Sequence, residues 1–169
     1  MGVHAAKRLP DFSYIGEYEY SLTCCTFNRH CWFTTSPSVE PVCAQMLQTA
    51  KEKSFEVPAY CFMPDHVHVL VTGTSADSNL PEFMAAWKQK TGYAHKQSTG
   101  LRLWQGGYFD HVLRGEEDRA KVIRYLLENP IRAGLERDLR KYPFWGSGLC
   151  SREALIDTLY DEATRVRGG

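Results

Sequence analysis

The chain has 169 residues, with 20 basic and 20 acidic side chains and a formal net charge of zero. That length suits one domain with a single good core. Zero net charge excludes nucleic-acid binding through bulk charge, so any such binding needs a local basic patch. No apolar run of about 18 residues is present to span a membrane, and no apolar segment near the N-terminus reads as a secretory signal, so a cytoplasmic location is expected.

Residues 1 to 12 are polar and basic and read as a flexible arm. The main domain is expected over 13–149, with a C-terminal helix and tail over 150–169. Residues 14 to 27 are rich in aromatic and β-branched side chains and predict a long first strand. Ser36-Pro37-Ser38 opens a helix, with Ser38 as its cap, and apolar residues from Val39 to Ala50 recur at helical spacing. Val57 to Phe62 predicts a second strand. Met63-Pro64-Asp65-His66-Val67-His68-Val69-Leu70 follows, with Pro64-Asp65 as the tight turn of an antiparallel hairpin. A second helix starts at Pro81 and stops at Ser98-Thr99-Gly100.

The segment from Leu103 to Arg114 predicts a strand with a glycine irregularity. A third helix follows Gly115, with Glu116, Glu117 and Asp118 suited to its N-terminus, and ends at Asn129-Pro130. Residues 131 to 149 read as irregular, with an aromatic loop around Trp145. A last amphipathic helix covers about 152 to 165. The first six elements follow a βαββαβ order, the pattern of an α+β, ferredoxin-like antiparallel sheet, with helices on one face and extra C-terminal helices. Six cysteines occur without a C-x-x-C pair, mostly in apolar segments, so no zinc cluster or disulfide framework is expected.

In a strand, successive side chains point to opposite faces, so His66 and His68 share one face while Val67 and Val69 point to a core. Two imidazoles so spaced suit two ligands of one metal ion. The same pattern also describes a polar stripe or two satisfied half-buried imidazoles. Catalytic metal sites usually show about three protein ligands and an open position, so a third group must come from elsewhere. On the third helix, Ala120, Ile123, Leu126 and Leu127 form an apolar stripe. Tyr125 lies nearly opposite it, one turn before Asn129.

Three segments together resemble the single-tyrosine HUH transposases of the IS200-like type, and within them the REP-associated tyrosine transposases. They are Met63-Pro64-Asp65-His66-Val67-His68, then Trp104-Gln105-Gly106-Gly107-Tyr108-Phe109-Asp110-His111, then Tyr125-Leu126-Leu127-Glu128-Asn129-Pro130-Ile131-Arg132-Ala133-Gly134. The resemblance implies single-stranded DNA cleavage and transfer at hairpins through a 5′-phosphotyrosine intermediate. It implies Tyr125 as nucleophile, with Mg²⁺ or Mn²⁺ held by His66, His68 and Asn129. The implied partner is a single-stranded DNA hairpin, and the REP-associated branch suggests a monomer, with a homodimer as the alternative. Tyr108 is the rival nucleophile, and His111 an accessory residue for ligand orientation or phosphate contact. Lys88, Lys90, Lys96, Arg102, Arg114 and Arg132 are candidate phosphate contacts, as are Arg137 and Arg140, each equally readable as a solvated charge. Two other functions compete: a non-catalytic hairpin-binding protein, and a histidine-based phosphoesterase. Leu70 stands where a histidine-triad hydrolase would need a third alternating histidine.

Overall fold

The computed structural model describes residues 10–114 and 119–166. Five strands form one antiparallel sheet: β1 (Glu19–Cys25), β2 (Phe55–Met63), β3 (His66–Gly73), β4 (Phe109–Leu113) and β5 (Trp145–Gly146), in the order β4-β1-β3-β2-β5. The first four take the expected ferredoxin-like arrangement. The helices are α1 (Ser36–Glu52), α2 (Leu80–Thr99), α3 (Arg119–Leu127), α4 (Asn129–Arg132) and α5 (Arg152–Val166). No described helix is long and apolar enough to cross a membrane.

The period-two pattern of β3 divides the sheet between two cores. Val67, Val69 and Val71 join Tyr20, Leu22 and Cys24 beneath α1 and α2, against Val42, Met46, Phe83 and Trp87. Leu70 faces the other way, with Ala59, Cys61 and Met63 of β2, against Ile123, Leu126 and Leu127 of α3 and Leu155, Ile156 and Leu159 of α5. The helices of the βαββαβ unit therefore share one face. The C-terminal helices cover part of the opposite face, the one the histidines occupy.

Several boundaries differ from the sequence expectation. The first strand begins at Glu19, because the residues before it turn aside to meet the loop after β3. Gly16 N–H donates to the Ser78 carbonyl at 2.9 Å, and Ile15 bridges to Asn79. Thr35 caps α1, and Ser38 is its third residue, accepting from Thr35 N–H at 3.3 Å in a capping box. The strand expected from Leu103 starts at Phe109. Trp104 makes only an isolated bridge to Thr26, and Gly107, at φ 73°, turns the chain before the ladder resumes.

The third helix does not end the helical path at Asn129-Pro130, since α4 resumes there after a one-residue break at Glu128. Residues 131–149 are less irregular than expected. They contain α4's end, a short 3-10 turn (Leu139–Lys141) and β5, which pairs Tyr60 with Gly146 and Cys61 with Trp145. Tyr142 Oη donates to the Phe62 carbonyl at 2.6 Å and ties this segment to the sheet. The expected arm falls mostly outside the described residues, as do Gly115 and the acids Glu116, Glu117 and Asp118. Phe12 packs edge-on against Tyr14 and Tyr18.

The close passage at Gly73 fixes where β3 ends and where the first strand can begin. A Cβ there would lie 2.2 Å from the Gly16 carbonyl oxygen, which is backbone and cannot swing away. Gly73→Ala is expected to lower stability by about 1–3 kcal/mol, the usual range for overpacking. Urea denaturation measures this, and an unchanged midpoint would show that the two segments are not so tightly joined.

Candidate active site

His66 and His68 stand on one face of β3, as alternation requires, and their Nε2 atoms converge to 3.0 Å. Their outer nitrogens are held by neighbours. His66 Nδ1–H donates to Asp65 Oδ1 at 2.6 Å, and His68 Nδ1 meets Thr23 Oγ1 at 2.9 Å, from the residue paired with it across β1. Asp65 is held in turn by Arg29, whose Nε lies 2.8 Å from Oδ2. Arg29 also donates to Cys25 Sγ at 2.8 Å. Asn28 and Arg29 both adopt left-handed backbone angles, φ 53° and 57°, which side chains rarely take without local compensation. Both carboxylate oxygens of Asp65 are thus engaged, so it orients His66 and is not itself a free ligand.

These contacts set the chemistry of the pair. A neutral His66 that donates from Nδ1 keeps an unprotonated Nε2. With no cation present, His68 Nε2–H donates to that nitrogen, and the Thr23 hydroxyl donates to His68 Nδ1. To offer both Nε2 atoms to a cation, His68 would take the other tautomer and give its Nδ1–H to the same hydroxyl. Thr23 serves both states because a hydroxyl donates and accepts. Two ligand atoms about 2.1 Å from one ion and at right angles to it lie about 3.0 Å apart. The pair as spaced would suit two ligands of a single divalent ion. Among the described residues, no three His, Cys, Asp or Glu side chains cluster to hold a metal. A third protein ligand would have to be of another type.

Tyr125 stands on α3 as expected from its position opposite the apolar stripe. Ile123, Leu126 and Leu127 are buried, while Tyr125 is 67% exposed. α3 packs across β2 and β3 on the histidine face. Asn129 follows the helix break. Its amide nitrogen donates to the Leu126 carbonyl at 2.8 Å, so only Oδ1 can face a cation. Arg132, at the end of α4, turns back over α3. Its guanidinium carbon lies 3.8 Å from the centre of the Tyr125 ring, and it donates to the Tyr125 carbonyl.

The remaining candidates divide by face and by partner. Tyr108 packs against the α1/α2 core, on the sheet face opposite the histidines. His111 is on the histidine face, paired with Ser21 in the row next to that of Thr23 and His68. Lys88 braces the 105–107 loop by donating to the carbonyls of Gln105 and Gly107. Lys90 pairs with Glu52 at 2.6 Å. Arg102 donates to the Trp104 carbonyl and lies over Phe27. Lys96 is exposed beside Arg102 and Tyr93, along an open groove of about 440 Å³. Arg114, Arg137 and Arg140 are exposed. Sequence reasoning missed Thr23 and Arg29 and took Asp65 only for a turn residue. Asp65 could have been found from its place next to His66; Thr23 needed the strand register.

Burial keeps both imidazoles neutral. It pushes His68 down to about 3, helped by His66, Arg132 and Arg29, and it also lowers His66 against the opposing pull of Asp65. An unfolded histidine titrates near 6.5. Between about pH 6.5 and pH 3 the unfolded chain thus binds more protons than the folded one, and this contribution to stability is lost as pH falls. A His68→Gln variant, with no such group to protonate, should lose less stability than the parent between pH 7 and pH 5. Urea midpoints at constant ionic strength check this, and equal losses would contradict it.

Comparison with known proteins bears on the family and the fold. The family model described as "Transposase IS200 like" matches residues 14–129, from before β1 to Asn129. A REP-associated tyrosine transposase of Escherichia coli (strain K12) is 25% identical over 101 residues, 59% of this chain and 58% of the relative. The chain thus spans under three-fifths of that relative's length. A solved structure of a REP-associated tyrosine transposase bound to a REP hairpin shares the fold, with a TM-score of 0.69 at 20% identity over 83% of this chain and 82% of the other. The family match takes in β1 to β4, the histidine pair, Tyr125 and Asn129, and on that basis the chain belongs to the IS200-like transposase family.

Proposed function

We propose that the protein cuts and rejoins single-stranded DNA beside a hairpin, with Tyr125 as nucleophile. One observation carries this reading: an exposed tyrosine projects from the helix that crosses the same sheet face on which two neutral imidazoles converge. Family membership supports it, and the hairpin in the related structure suggests the form of the DNA. The Tyr125 phenol oxygen attacks a backbone phosphorus. A tyrosine O–P bond forms, the P–O3′ bond breaks, and the phenol proton is passed to the departing 3′ oxygen. The products are a 5′-phosphotyrosine and a free 3′-OH, which can attack the link in reverse. No water need be activated.

His66, His68 and the Asn129 Oδ1 would hold a Mg²⁺ or Mn²⁺ ion. Bound there, it supplies Lewis-acid stabilisation of charge on the phosphate oxygens. Asp65 and Thr23 fix the ring orientations that leave both Nε2 atoms turned inward. Away from the pair, Tyr93, Lys96 and Arg102 line a groove suited to a stacked base and its phosphates.

Tyr125→Phe keeps the ring and removes the attacking oxygen. This variant should fold, bind hairpin DNA and form no denaturation-resistant adduct with Mn²⁺ present, while Tyr108→Phe should still form one. Adduct formation by Tyr125→Phe at the parent rate would refute the assignment. If neither the parent nor any variant forms an adduct on hairpins it binds, the protein is a hairpin binder without strand transfer.

His66→Ala and His68→Ala should each abolish cleavage with hairpin affinity largely intact, because phosphate and base contacts supply most of the affinity. Gel-shift and cleavage assays on the same DNA separate the two effects. Parallel loss of both would count against a catalytic role. Hairpin affinity should fall with salt at a slope of about −0.7 per phosphate contact on single-stranded DNA. A flat response would favour a small-molecule phosphoesterase.

A further inference from the structure

The break between α3 and α4 brings Arg132 back over the residue seven positions earlier. Three observations single out this side chain. Its guanidinium carbon lies over the Tyr125 ring, 3.8 Å from the ring centre, while it donates to the Tyr125 carbonyl. It lies close enough to the sheet for its charge to bear on His68 and on Cys61, the residue paired with His68 across β2. Its own counter-ion is loose, since Glu128 Oε2 is 3.8 Å away, whereas Arg29, Arg119, Lys53 and Lys90 have carboxylates at 2.6–3.2 Å. An exposed pair at that distance contributes little and releases its cation readily. Arg29, the other cation acting on His68, is occupied by Asp65 and Cys25.

We infer that Arg132 is the phosphate clamp of the reaction: it holds the Tyr125 ring with its planar face and binds the scissile phosphodiester through its N–H edge. This rests on the strand-transfer reading and adds to it a residue that joins the nucleophile to the histidine pair. The two uses of the guanidinium are compatible. A cation stacks on a ring through its flat face, while its five N–H groups lie in the plane and match two phosphate oxygens at once. The stack positions Tyr125 before DNA arrives. The phosphate then takes the place of the weakly held Glu128 and is presented to the ring oxygen beneath.

The test is a cycle between the arginine and one phosphate charge. Hairpin DNAs are made with a single uncharged methylphosphonate at each linkage of the single-stranded flank in turn. Their binding is measured to Tyr125→Phe, which cannot cleave, and to Tyr125→Phe combined with Arg132→Gln. A charge-assisted bidentate contact supports about a tenfold loss when either partner is neutralised. The account expects one linkage whose neutralisation weakens Tyr125→Phe about tenfold but leaves the double variant unaffected, while the penalties at other linkages persist. Additive penalties at every linkage would overturn the clamp.

With Tyr125 intact, Arg132→Gln should slow adduct formation at saturating DNA by at least about tenfold. Arg132→Lys, which keeps the charge without the fork, should recover part of that rate. Equal rates for parent and Arg132→Gln at saturation would likewise overturn the proposal. A parent that forms no adduct on any hairpin refutes the strand-transfer reading and the clamp together. Adducts accompanied by additive methylphosphonate penalties refute the clamp alone.

Discussion

The site depends on keeping two neighbouring histidines neutral and half-buried on one face of a strand. Alternation places His66 and His68 side by side. Burial favours their uncharged forms, and Asp65 and Thr23 take up the outer nitrogens so that the inner ones converge at 3.0 Å. Each supporting contact has its own anchor. Arg29 holds Asp65 from a left-handed backbone turn, and the β1–β3 register holds Thr23 opposite His68. A slip of one residue in that register would turn both histidines into the α1/α2 core and both valines out.

The second constraint is the α3–α4 break. A continuous α-helix would carry residue 132 nearly two turns, about 10 Å, beyond residue 125. The break lets the chain fold back, with Asn129's amide satisfying a carbonyl at the end of α3 and Arg132 reaching one at Tyr125. Asn129 and Arg132 thus have structural work as well as the chemical roles proposed for them. The apolar side of α3 is sealed by Leu126 and Leu127 against Cys61, Met63 and Leu70. That seal holds α3 against the sheet and leaves Tyr125 exposed.

Much of the fold was legible because its patterns are local. The alternation in β3, the two-residue turn at Pro64-Asp65 and the apolar spacing of α1 and α3 are all properties of short windows, and they place the histidines on one face and the tyrosine off the α3 stripe. What escaped was set by contacts between distant segments. The first strand starts five residues later than expected because Gly16 and Ser78 meet. The two-residue β5 is too short for any pattern and exists because Tyr142 and Trp145 find partners at Phe62 and Leu139. Thr23 and Arg29 carry no local mark of function, and only pairing across the sheet shows what they touch. The candidate cations show the same limit: sequence could name Lys88 and Lys90, but the structure shows them occupied by loop carbonyls and by Glu52.

The account's central claim is that the DNA becomes joined to the oxygen of Tyr125. Trapping the complex of parent protein and hairpin DNA with Mn²⁺, digesting it with nuclease and trypsin, and locating the remaining nucleotide by mass spectrometry tests this directly. Cleavage after Arg124 and Arg132 releases Tyr125 to Arg132 as one peptide, whereas Tyr108 falls in the peptide from Leu103 to Arg114. The account predicts a nucleotide phosphate on the first peptide, fragmenting to Tyr125. A nucleotide on Tyr108, or on any other residue, would contradict it.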